Sequence, residues 1–259
     1  MSKWRALQMY PAQGVGKVAK RKQNAPRKSG KLKHSRFFFY YAVASLAVVI
    51  AGFASRAIVL PDLLPPITPT IVFHIILMLA WYSLVIVQAQ WIAKKNAAFH
   101  KQVGKLSPLL VAAILITGTL VTLETYARRI AADAYAPEFA VYLSFSSLLG
   151  FVILYALAYI NRASGDDHKR YIVMAGTAMI LAATFRLAAA FGAPQPIPMG
   201  IVIQFGFLTA LMFYDLKKFE RMHVATMLGM LVHLIITAGI FTLGASSMWA
   251  GFIKEVLTP

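Results

Sequence analysis

The stretch TIVFHIILMLAWYSLVIVQAQWIA at residues 70–93, followed by KKNAAFHKQVGK at 94–105, decides the class of fold. Its first 24 residues contain no Asp, Glu, Lys or Arg. As a helix rising about 1.5 Å per residue they reach some 36 Å, enough to cross a hydrocarbon core of roughly 30 Å. Lys94, Lys95, Lys101 and Lys105 then arrive within twelve residues. An uncharged apolar run that stops at a basic loop marks a transmembrane helix ending at a membrane surface.

Working outward, the same pattern recurs along the 259 residues, of which 59% are hydrophobic. Seven spans are expected: Phe37–Leu60, Thr70–Ala93, Leu106–Tyr126, Glu138–Ile160, Tyr171–Gly192, Met199–Tyr214 and Val224–Gly244. The sixth is short and is expected to begin within the Pro-rich turn before it, where Pro194, Pro196 and Pro198 lie. Runs of this length predict helices, because strands of a membrane barrel are shorter and alternate. The expected fold is an all-α polytopic bundle of about seven transmembrane helices, with residues 37–244 as its membrane domain.

Charge sets the orientation. The net charge is +17, and 21 of the 26 Lys and Arg fall on one side of the seven-span arrangement. Eleven of these lie in residues 1–36, which contain no acid. The positive-inside rule then predicts N-in and C-out. Residues 1–36 are expected to be a disordered cytoplasmic tail held beside anionic lipid rather than a nucleic-acid site. No cleaved signal peptide is expected, because the basic region is too long. Residues 245–259 are expected outside, with Trp249 and Phe252 along the interface.

Three histidines stand at matched places. FHKQVG at 99–104, DHKRYIVMAG at 167–176 and MHVATMLG at 222–229 put His100, His168 and His223 near helix starts on the inner side. Each is followed by a glycine, a weak sign of internal duplication. Three imidazoles at one depth, with Asp167 and Asp215 nearby, suit zinc or iron, and two of them suit haem b. The bland alternative is that they cap helices or bond nearby carboxylates. His74, Gln88, Glu124, Arg186 and Gln204 form a second group, expected as an outer-side polar pocket in which Glu124 pairs with Arg186. His233 lies deep in the last span and is expected to be an interhelical hydrogen-bonder.

Several functions are excluded by what the chain lacks. With no cysteine there is no disulfide, thiolate metal site or cysteine nucleophile. The last span has no lysine for a retinal Schiff base, and no HExxH or phosphate-cradling glycine loop is present.

The segment 74–104 resembles a family of uncharacterised bacterial multi-pass membrane proteins with a His…Trp…Gln…His…Gly pattern, here His74, Trp81, Gln88, His100 and Gly104. Segments 167–186 and 214–229, with Arg186 and Asp215, resemble later blocks of that group. The resemblance implies shared architecture and no particular activity. In outline only, the chain is similar to haemolysin III and adiponectin-receptor proteins, which bind zinc through three inner histidines, and to cytochrome b561-type proteins. The expectation is an inner-membrane protein that binds a metal or haem and acts on a lipid-soluble substrate. The alternative is a non-catalytic accessory subunit of a membrane complex, and a small-solute or proton transporter ranks third.

Overall fold

The computed structural model describes residues 36–61 and 66–257. The expected cytoplasmic tail, apart from Arg36, lies outside the described residues. Ten helices are present among them: α1 Phe37–Val59, α2 Pro69–Ala93, α3 Ala97–Gly104, α4 Ser107–Ala131, α5 Pro137–Ile160, α6 Gly165–Met179, α7 Leu181–Ala190, α8 Pro196–Phe219, α9 Val224–Phe241 and α10 Ser247–Leu257. Six segments are long and apolar enough to span a membrane: α1, α2, the run Ala97–Ala131, α5, α8 and α9. The α6–α7 pair makes a seventh if it counts as one span, and it is bent by 46°. The protein is a polytopic all-α membrane protein.

Local chemistry starts the helices. Thr68 caps α2, its hydroxyl accepting from Ile71 N–H at 3.4 Å, and Pro69 fills the first position, where a missing N–H costs nothing. Asn96 caps α3 and Ser164 caps α6 in the same manner. Asp166 and Asp167 in the first turn of α6 complement its dipole. The sixth span begins within the Pro-rich turn as expected, with Pro196 opening α8, and it runs past Tyr214 to Phe219, 24 residues in all.

The bend between α6 and α7 corrects the single straight span expected over Tyr171–Gly192. No proline or glycine stands at the break. Instead Ile180 N–H turns to the Thr177 carbonyl at 3.3 Å, the short i→i−3 bond that closes a helix end. Carbonyls near such an end need other donors, and lipid supplies none. Tyr82 Oη of α2 donates to Gly176 O at 2.9 Å, and Gln204 Nε2 of α8 donates to Thr177 O at 2.8 Å. His233 Nε2 of α9 lies 3.1 Å from Met174 O. Three side chains from three helices therefore hold the break.

The core lies around α6, with Trp81, Phe151, Leu154, Met174, Leu208 and Leu211 almost fully enclosed. Helix α7 is gripped on both sides by glycines that permit backbone contact. A Cβ on Gly52 of α1 would collide with Ala183 O, and one on Gly200 of α8 would sit 2.7 Å from Phe185 N. Small residues at such crossings are how membrane helices approach closely without a hydrophobic drive.

Candidate functional site: the imidazole pair

The three inner histidines do not gather at one point. His100 on α3 and His168 on α6 meet edge to face, with ring centres 6.3 Å apart. His223 instead caps α9, its Nδ1 accepting from Ala225 N–H at 3.3 Å and lying 3.6 Å from Asp167 Oδ1. Among the described residues, no group of three or more His, Asp or Glu is placed to hold a metal ion. The expected three-histidine centre is therefore not assembled.

Asp215 is committed elsewhere. Its carboxylate accepts from Arg170, with Nε to Oδ1 at 3.1 Å and a second, shorter contact from Nη2. Oδ2 also accepts from the Thr226 hydroxyl and from His223 N–H at 3.2 Å. Both side chains of the pair are fully enclosed. The guanidinium also donates to Asp166 O at 2.7 Å and lies against the Phe38 and Phe219 rings. Charge-assisted bonds on every side make this a structural node tying α6, α8 and α9 together. In the sequence Arg170 is simply one of the 21 basic residues on one side of the spans, and nothing local marks it as buried.

The outer polar pocket also comes apart, because each desolvated polar group takes a partner close at hand. His74 Nδ1 lies 2.9 Å from Thr117 Oγ1 across α2 and α4. Glu124 accepts from Thr68 at 3.0 Å and sits 3.7 Å from Arg128, so it braces the turn before α2. Arg186 donates to Ala182 O and rests over Phe53 and Phe185, each 4.8 Å away. The expected Glu124–Arg186 pair is not among the ion pairs of the described residues. Gln204 holds the α6–α7 break, and Gln88 lies beside the inner pair.

Among the described residues, buried polar atoms without partners fall in two groups: one on Trp81, Gln88 and His100, the other at the far end of α4 and α5 on Tyr126, Arg128 and Glu138. His168 Nδ1 lies 2.9 Å from Ala158 O, which fixes it as the donor and leaves Nε2 with its lone pair. His100 Nδ1 is buried without a hydrogen-bond partner. Gln88 Nε2 and Oε1 are likewise buried and unpartnered among the described residues, as is Trp81 Nε1. Buried polar atoms without partners are rare in folded proteins, and each calls for a bound group or water. A cavity of about 10 Å³ borders Trp81 beside Tyr41, Tyr82 and Gly176. Three of the five residues in the His…Trp…Gln…His…Gly pattern thus carry unspent polar atoms.

Comparison with family models, curated proteins and solved structures returned no match.

Proposed function

We propose that the chain is an inner-membrane protein that binds a transition-metal ion through His100 and His168 and acts on a lipid-soluble substrate at that end of the bundle. The observation that carries this reading is the state of the two rings. His168 is oriented by the Ala158 carbonyl at Nδ1, which leaves Nε2 free, and His100 beside it keeps a buried Nδ1 without a partner. Metal-binding histidines are held as His168 is, since the anchoring bond fixes the tautomer and aims the ligand nitrogen. With metal–nitrogen bonds of about 2.0–2.1 Å, two imidazoles on one ion have ring centres roughly 5–6.5 Å apart, and the observed 6.3 Å falls in that interval.

The fit favours zinc or iron over haem b, because the touching rings would have to part to admit a macrocycle. A bound ion would supply a Lewis acid or an activated water. The amide of Gln88 supplies both a donor and an acceptor beside the pair. His223, Asp167 and Asp215 take no part. The second reading is an accessory subunit, in which these polar residues only knit the bundle.

Elemental analysis and an absorption spectrum of the purified protein test the proposal. Near-stoichiometric zinc or iron is expected, lost in His100→Ala and His168→Ala and kept in His223→Ala. Protein that purifies without metal and does not take it up by titration would overturn it in favour of the accessory reading.

A further inference from the structure

Helix α10 follows the last span and packs across the far end of α4 and α5 from the imidazole pair. Trp249 Nε1 donates to Glu138 O at 2.8 Å, and the Trp249 ring meets Tyr142 edge to face. Ile253 is buried with Tyr126 and Val141, and Leu257 packs against the same cluster. Lys254 Nζ lies 3.8 Å from Glu138 Oε1.

At about 100° per residue, Trp249, Ile253 and Leu257 form one stripe, and Met248, Phe252 and Val256 form a second directly beside it. The first stripe is covered by the bundle, whereas Met248, Phe252 and Val256 are 69%, 54% and 58% exposed. Ser247, Ala250, Gly251, Lys254 and Glu255 occupy the opposite arc. The apolar half of the helix is therefore contiguous, and only part of it has a protein partner.

We infer that α10 is an interfacial anchor whose Met248–Phe252–Val256 stripe enters the headgroup and upper acyl region of the bilayer. Two observations select lipid as the occupant. The end of the preceding span carries exposed apolar side chains as well, Phe241 and Leu243. Both charged side chains of α10 lie on the arc opposite the apolar half, as an in-plane helix requires.

The natural absence of cysteine makes the test direct. Phe252→Cys, Val256→Cys and Glu255→Cys are each spin-labelled in the full chain and reconstituted into phosphatidylethanolamine–phosphatidylglycerol vesicles. Collision with oxygen is then compared with collision with a water-soluble nickel chelate. Labels at 252 and 256 should favour oxygen and the label at 255 should favour nickel. Nickel access at 252 would show the stripe in water. Exclusion of both reagents there, with spin–spin broadening, would show a second copy of the chain. Either result overturns the inference.

Discussion

Arg170 and Asp215 show how one residue's chemistry reaches the whole bundle. An enclosed guanidinium and carboxylate offset each other's loss of hydration only while both are present. Asp215→Ala should therefore cost about 3–5 kcal/mol, since it strands a buried cation. Exchanging both residues for apolar ones of similar size should cost much less. Denaturation midpoints in detergent read the difference, and a double-variant loss equal to the sum of the Arg170 and Asp215 single losses would show that the two charges do not depend on each other. His223 lies beside the same node, its backbone N–H donating to Asp215 while its Nδ1 caps α9 by accepting from Ala225 N–H.

Among the elements, the α6–α7 break is the feature that composition could not reveal. The residues around it, Ala178, Met179, Ile180, Leu181 and Ala182, read as continuous apolar helix. Its cause lies in Tyr82, Gln204 and His233, distant in sequence and invisible to any local window. The spans themselves were legible because bilayer thickness imposes a length and a composition that any short window can detect. Placement near helix starts grouped His100, His168 and His223, of which the first two lie side by side. It could not say which way His223 turns, because capping geometry depends on neighbours several residues away. The Glu124–Arg186 pair was misjudged for a related reason: burial demands a partner, but Thr68, Arg128 and Ala182 lay nearer. The break makes its own prediction. Ala182 is the second residue of α7, where proline is tolerated, whereas Ala175 lies inside α6. Ala175→Pro should cost about 3 kcal/mol or more and Ala182→Pro far less, measured by thermal unfolding in detergent. Equal penalties would mean that the helix runs through.

At the scale of the whole molecule, every crossing is stitched to a neighbour by few polar contacts, and the partners of α6 come late. Asp215 follows Arg170 by 45 residues, so the cation is synthesised well before the anion that neutralises it. A helix bearing a charge of this kind enters lipid reluctantly on its own. During synthesis α6–α7 should wait at the insertion machinery until α8 emerges, and the two should then partition together. A chain ending at Gly200, with Ala193→Cys as a marker between α7 and α8, should react poorly with an externally added impermeant maleimide. The full-length chain with the same marker should react well. Equal labelling would show that α6–α7 crosses unaided. The buried pair thereby gives the protein an order of assembly, and any rearrangement that moved α8 ahead of α6 or onto a separate chain would change when the bundle can close.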